Sequence, residues 1–325
     1  METTEKSDIL DGYKLDKDGR LIVDSKKRDT PPHGDHMASG VIGTFIDGEI
    51  AIASAFDIGN EKGKPSGCCL PGGQIKRREK DGESELEVET AAAEIGEEIG
   101  ARRKDNHRPL TPEDIVPVCM ISRREHWRAD AQRERVYVPE GFDLHQHIFS
   151  RFGSDLELHQ TTDDDTVSPR WRKLREIIET SIESGALIRI PKEKRTEREQ
   201  ERLRELRGVV RRNRGKELIS VEMVGQTFYL KHLIALMYTL QFIGKRFIAL
   251  REFTPKEVTS RDDLLFFKGI AQEIAKDGRN LDAIFCAAQL NPHKILCQIM
   301  GNSQLAEQKL SETVPKELWA AGYYI

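Results

Sequence analysis

The feature that most constrains this chain is a glycine pair followed by a strongly acidic helical segment. Gly72 and Gly73 form the pair, and Glu94, Glu97 and Glu98 lie three and four positions apart in the segment that follows. Side chains at that spacing share one face of a helix. Carboxylates so close together repel one another unless a cation or protons neutralise them, and oxygen ligands alone suit Mg²⁺ or Mn²⁺. The segment therefore predicts a divalent-metal site.

The same segment carries an apolar stripe. Val88, Ala92, Ile95 and Ile99 repeat at the spacing i, i+4, i+7, i+11, which is typical of an amphipathic helix. Such a helix can pack on a core while it holds its acidic residues toward a cleft. The alternative is a surface helix with solvated glutamates, since acid-rich helices are common.

These residues resemble the sequence box of the Nudix hydrolase family. That box reads glycine, five residues, glutamate, seven residues, arginine-glutamate, an aliphatic residue, any residue, two glutamates, any residue, glycine and an aliphatic residue. Residues 97–101 match its end, Ile95 and Glu94 match its centre, and Glu85 stands at the matching distance upstream. Residues 70–73, Leu-Pro-Gly-Gly, resemble the strand end and glycine turn that open it.

Two positions depart from the family pattern. Ala93 occupies the arginine position, and eleven residues separate Gly73 from Glu85 where the family has five. Both departures favour an alternative function, a catalytically weak Nudix-like nucleotide-binding or regulatory module. Retention of all three acidic residues on the helix favours a hydrolase, because a binding module has no reason to keep a cluster of like charges.

The resemblance implies an α+β fold, namely an α/β/α sandwich with a mixed sheet. It also implies Mg²⁺- or Mn²⁺-dependent cleavage of a phosphoanhydride bond in a nucleoside diphosphate-linked substrate. By position, Glu97 and Glu98 would be the central metal ligands. Glu94 would be a further ligand or the base that orients water, and Gly72 would bind the metal through its backbone carbonyl.

The resemblance also implies roles in the loop around this helix. Gly73 would supply a tight turn, and Glu85 would pair with an arginine that braces the loop. Because Ala93 removes the family's arginine, we expect Arg77 or Arg78 in the inserted loop to replace it. The family often takes a further acidic ligand from a loop that precedes a tryptophan. Asp164, in a run of three aspartates, has that position here, although a solvated acidic turn is an equal alternative.

The surrounding sequence predicts a sheet with helices. Asp47-Gly48 is a strong hairpin signal between two segments rich in β-branched and aromatic residues. The predicted strands are Ser39–Ile46, Glu49–Phe56, Ile115–Ile121, Val136–Val138 and His145–Phe152, and the predicted helix after them is Arg172–Ser184.

Charge and apolar content divide the chain into four predicted parts. They are an N-terminal arm (1–36), a Nudix-like hydrolase domain (37–190), a charged helical linker (191–216) and a mainly helical C-terminal domain of unknown role (217–325). Every candidate ligand precedes residue 190. We therefore expect the chemistry to stay within residues 37–190, and a chain that ends near Ile190 to remain folded.

Composition narrows the classes of partner. The chain has 325 residues, 33% of them charged, with a net charge of −4, which is typical of a globular protein and does not favour a nucleic-acid partner. Its longest apolar run is too short to span a bilayer. The five cysteines form no framework of pairs, which fits a reducing compartment. We expect a cytoplasmic protein with a nucleotide-type small-molecule substrate and no membrane partner; a homodimer is left open.

Overall fold

The computed structural model describes residues 13–15, 21–23, 36–58, 66–75, 87–129, 135–160, 166–212, 219–250 and 261–316. Four of the predicted site residues, Arg77, Arg78, Glu85 and Asp164, lie outside these residues. Most of the predicted arm does so too.

Fourteen strands and eight α-helices are found in the described residues. The strands are β1 (Tyr13–Leu15), β2 (Leu21–Val23), β3 (His36–Ile46), β4 (Glu49–Asp57), β5 (Gly67–Cys69), β6 (Gly72–Gln74), β7 (Arg102–Arg103), β8 (Val116–Ala129), β9 (Arg135–Phe152), β10 (Leu156–Glu157), β11 (Thr166–Lys173), β12 (Gly208–Arg212), β13 (Ile219–Val224) and β14 (Thr313–Lys316). The helices are α1 (Glu87–Ile99), α2 (Leu174–Arg189), α3 (Glu197–Arg207), α4 (Leu230–Leu250), α5 (Arg261–Lys276), α6 (Arg279–Ala288), α7 (Pro292–Met300) and α8 (Ser303–Ser311).

The largest sheet has eight strands and is mixed. Its order is β11-β4-β3-β9-β8-β14, with β5 beside β4 and β6 beside β3. Strands β3 and β9 run parallel, whereas the other neighbours are antiparallel. The predicted hairpin is confirmed as β3–β4. Asp47 and Gly48 both have positive φ, 55° and 77°, the backbone that matches a two-residue hairpin to the strand twist.

One strand covers two of the predicted ones. The sequence predicts separate strands at Val136–Val138 and His145–Phe152, but β9 runs without interruption from Arg135 to Phe152. Gly141, at a φ of 66°, lies within it. The glycine therefore accommodates a local irregularity inside the strand and does not end it.

Helix α1 packs on one face of this sheet, as its apolar stripe predicts. Ala92, Ile95 and Ile99 are buried, and they pack in a cluster with residues of β3, β4 and β9. Gly40 of β3 allows the close approach, because a Cβ at that position would lie 2.5 Å from Ile95 Cδ1. The helix that carries the candidate ligands is thus held firmly against the sheet.

The C-terminal helices pack on the opposite face. One buried cluster joins residues of β3, β4, β8 and β9 to residues of α2, α4, α5, α6, α7 and α8. The described residues thus form an α+β fold with helices on both faces of a mixed sheet, and the C-terminal part is mainly helical, as predicted. Because residues on both sides of the predicted boundary near 217 share this core, we propose that they fold together.

The charged segment after Ile190 is helical only in part. Helix α3 begins with a capping box: Thr196 Oγ1 accepts a hydrogen bond from Glu199 N, and Glu199 Oε2 accepts one from Thr196 N. The helix ends at Arg207 and is capped by Gly208, whose φ is 76°, and the chain continues as β12. The prediction of a helical linker is therefore wrong for Gly208–Arg212, which form β12, and residues 213–216 lie outside the described residues.

No helix within the described ranges combines the length and the apolar character needed to cross a membrane.

Candidate active site at the glycine strand and helix α1

The glycine pair forms a short edge strand and not a turn. In β6, Gly72 lies opposite Ser39 and Gly73 lies opposite Ala38 of β3. Neither glycine has a positive φ, so the prediction that Gly73 makes a tight turn is wrong. The reason for a glycine is steric: a Cβ at position 73 would lie 1.9 Å from Glu94 Oε1. The carboxylate of Glu94 occupies the space that a side chain would need.

A hydrogen bond joins the glycine strand to a second acidic residue of α1. Gly72 N donates to Glu98 Oε2 at 2.9 Å. A Cβ at position 72 would lie 2.1 Å from Ser39 Oγ, so this glycine also allows a close approach. The structure thus brings Glu94 and Glu98 to the two glycines, although the two halves of the box are separated by an insertion. The contact at Gly72 uses its N–H, and metal ligation by its carbonyl stays a prediction.

Glu97 lies on the exposed side of α1. With Ala93, it lines a groove of about 430 Å³ between α1 and residues 109–112. Within the described part of the chain, the oxygens of the three helix carboxylates do not all lie within 4.8 Å of one another. The candidate ligand atoms are all carboxylate oxygens, and a backbone N–H orients one of them, Glu98 Oε2. Oxygen ligands of this kind fit a hard divalent cation such as Mg²⁺.

Residues from the C-terminal half hold the segment that leads into the glycine strand. Cys68 N donates to Thr227 O at 2.9 Å, Tyr229 N donates to Cys68 O at 3.0 Å, and Leu70 N donates to His232 Nδ1 at 3.2 Å. The pKa of Tyr229 is raised well above its usual range, mainly by burial and secondly by the negative charge of the Asp57 carboxylate. Sequence reasoning missed these supports, because nothing local marks a pairing across more than 150 residues.

A buried arginine fixes β11 to the same C-terminal segment. Arg172 is 1% exposed. It donates to Cys68 Sγ at 3.2 Å and to the Gln226 carbonyl, and its guanidinium carbon lies 5.5 Å from the centroid of the Phe228 ring. Burial lowers the pKa of Arg172 and raises that of the Cys68 thiol. The Arg172 side chain therefore links β11 to β5 and to residues 226–228.

Three histidines gather on β3 and β9. The ring centroid of His36 lies 4.9 Å from that of His145 and 5.8 Å from that of His147, and His145 Nδ1 lies 2.7 Å from Ser122 Oγ. The sequence shows that His145 and His147 alternate on one strand. It does not show that His36 lies beside them, because that position results from the parallel pairing of β3 with β9. The rings pack with one another and with a hydroxyl.

Neither a protein-family model nor a curated protein sequence matches the chain. Similar solved structures include the Nudix domain of Shewanella oneidensis NrtR complexed with ADP ribose, which is 14% identical over 44% of this chain and 75% of that one, with a TM-score of 0.30. A C. elegans Ap4A hydrolase binary complex is 15% identical over 44% of this chain and 83% of that one, with a TM-score of 0.28. A MutT/nudix family protein from Enterococcus faecalis is 10% identical over 88% of this chain and 85% of that one, with a TM-score of 0.31. At these values the similarities carry no argument about the fold or the activity of this chain.

Residues 70–101 resemble the Nudix box, and the structure places their glycine strand and acidic helix in contact on a mixed sheet that has helices on both faces. The described residues therefore have the α+β architecture that this resemblance implies.

Proposed function

We propose that this protein is a Mg²⁺- or Mn²⁺-dependent hydrolase that cleaves a phosphoanhydride bond in a nucleoside diphosphate-linked substrate. One observation carries the proposal: Gly72 N donates to Glu98 Oε2 while Glu94 lies against Gly73. Solvated glutamates on a surface helix would have no reason to turn toward a backbone strand. Contacts with that strand are expected if the acidic residues are positioned for chemistry.

Glu94, Glu97 and Glu98 would hold the cation, and Asp164 would add a further ligand. When bound, the cation would polarise the phosphoanhydride and offset the negative charge that repels an attacking water. Carboxylate oxygens are the ligands that such a cation prefers.

The chain itself would supply orientation. The Gly72 N–H fixes one oxygen of Glu98, and β6 is in turn fixed by its pairing with β3. Glu94, confined beside Gly73, would be a further ligand or the base that orients the attacking water and accepts its proton. Glu97 would bind the cation from the solvent-exposed side of α1. Positioning of this kind supplies much of the catalysis in phosphoryl transfer.

Replacing Glu97 or Glu98 with glutamine tests the proposed ligands. Each change keeps the size of the side chain and removes its charge, so we expect turnover to fall by about a hundredfold or more, as when a main electrostatic stabiliser is lost. Steady-state kinetics with Mg²⁺ is the measurement. Glu179→Gln, at an exposed position of α2, is the matched control and should be as active as the wild type. Near-normal turnover in both site variants would contradict the proposal.

The missing arginine of the box gives a second prediction. We propose that Arg77 or Arg78 pairs with Glu85 and restrains the inserted loop, because a bidentate guanidinium binds a carboxylate in a fixed geometry. In double-mutant cycles between Glu85→Gln and Arg77→Ala or Arg78→Ala, one arginine should show coupling in turnover and in unfolding free energy. Strictly additive effects for both arginines would rule out the pairing, since groups in contact should couple.

A further inference from the structure

A second group of possible metal ligands lies where the turn after β7 meets β10. His107 Nδ1 is 2.5 Å and His159 Nε2 is 3.0 Å from the same oxygen, Oε1 of Glu157. The ligand atoms of these three residues all lie within 4.8 Å of one another, and in the described residues no other group of histidine, cysteine and acidic side chains meets this condition. None of the three belongs to the glycine strand or to α1.

The backbone holds these residues together. Strands β7 and β10 are antiparallel, with Arg102 opposite Glu157. The turn after β7 is closed by a hydrogen bond from Arg103 N to Arg108 O at 3.0 Å, and it is joined to the start of β10 by one from Lys104 N to Asp155 O at 2.8 Å. The two histidines, about 50 positions apart in sequence, are therefore brought to one carboxylate by regular backbone pairing.

His107 adopts an unusual backbone conformation to reach this position. Its φ is 54°, and the left-handed region costs a residue other than glycine about 1 kcal/mol or more. Such a conformation persists where the surrounding structure requires it. Here it accompanies the approach of the His107 ring to Glu157.

We propose that His107, Glu157 and His159 bind Zn²⁺, with water in the fourth position. Imidazole nitrogens favour zinc over the hard cations expected at α1. Zinc bonds to nitrogen and oxygen of about 2.1 Å separate the ligand atoms of a tetrahedron by about 3.4 Å. The distances of 2.5 and 3.0 Å would need to widen by less than about 1 Å on that basis. Since the side chains of His107 and His159 are 69% and 41% exposed, they can move without disturbing the core.

The ion would fasten the end of the helix that carries the acidic residues. Gly100, at a φ of 56°, follows α1, and a Cβ there would lie 2.4 Å from His159 O. Zinc bound by His159 would thus link the backbone beside Gly100 to β10 and to the turn that contains His107. Its role would be to stabilise this corner of the fold, and the hydrolytic chemistry would not require it.

Zinc titration of the full chain tests the proposal. Protein stripped of metal with a chelator is titrated with Zn²⁺ against a chromophoric chelator, and thermal unfolding is followed with and without the ion. We expect one bound equivalent whose affinity falls at least tenfold in His107→Ala, His159→Ala and Glu157→Gln, together with a zinc-dependent rise in Tm that these variants lose. His126→Ala removes an exposed histidine outside the group and should behave as the wild type. Glu98→Gln should also keep the zinc effect, which separates this proposal from that of the hydrolase.

Two results would overturn the zinc site. One is an equal zinc affinity in the wild type and all three variants, and the other is a Co²⁺-substituted protein whose spectrum shows a thiolate charge-transfer band, which would assign the ion to cysteine. Glu157→Gln keeps the size of the side chain and can still accept hydrogen bonds. It therefore provides a folded variant for this comparison if a histidine variant unfolds.

Discussion

Replacing Gly73 with alanine should reduce metal-dependent turnover by about a hundredfold, because a displacement of about 1 Å at a reacting centre has an effect of that size. The added Cβ would lie 1.9 Å from Glu94 Oε1, well inside van der Waals contact. Either the carboxylate leaves its position or β6 moves away from β3. In both cases Glu94 would lose the position in which we propose that it orients water beside Glu98.

The measurement is kcat with Mg²⁺ for Gly73→Ala, compared with Gly278→Ala. Gly278 has a φ of −58°, and a Cβ there meets no atom within 4 Å, so its substitution should change neither turnover nor folding. Circular dichroism establishes whether Gly73→Ala is folded. A folded Gly73→Ala protein with wild-type kcat would show that the place of Glu94 beside the glycine strand does not matter to the reaction.

A chain that ends at Ile190 should fail to fold, in contrast to the expectation from sequence alone. Leu233, Leu236, Met237 and Leu240 of α4 are all 0% exposed and lie in the core shared with the sheet. Burial of such a side chain contributes about 1.5–3 kcal/mol, so these four contribute about 6–12 kcal/mol. A domain has a total stability of only about 5–15 kcal/mol. The truncation also removes β14 and the residues that hold β5.

The effect of the truncation on folding is measured by expressing residues 1–190 and, separately, residues 1–316, which include every described residue. We expect the shorter protein to be insoluble or to lack a cooperative thermal transition, and the longer one to unfold cooperatively. A soluble 1–190 protein that unfolds cooperatively and hydrolyses its substrate would establish the independent domain that the charge pattern predicts.

Local sequence patterns predict the parts of the fold that depend on neighbouring residues. The apolar spacing of α1 and the Asp47-Gly48 hairpin both have short-range causes, and both are found. The glycine at position 73 is open to two interpretations. A positive φ and a close approach both require glycine, and only the structure shows that Glu94 is the neighbour.

Contacts across long stretches of sequence account for most of what was missed. Cys68 forms hydrogen bonds with Thr227 and Tyr229 because α4 packs on the sheet beside β5. The apolar pattern of a helix in the sequence does not indicate which surface of the protein that helix packs against. His107 and His159 likewise meet through the pairing of β7 with β10. The two-residue length of these strands leaves no periodicity to detect.

Hydrolysis of a panel of nucleoside diphosphate derivatives by the full chain, with and without Mg²⁺ or Mn²⁺, tests whether the protein is a metal-dependent hydrolase. We expect turnover of at least one member of the panel, and we expect this turnover to require the added cation and to be lost in Glu98→Gln. If a nucleotide from the panel binds but none is hydrolysed with either cation, the site is a binding module and the proposed hydrolase is contradicted.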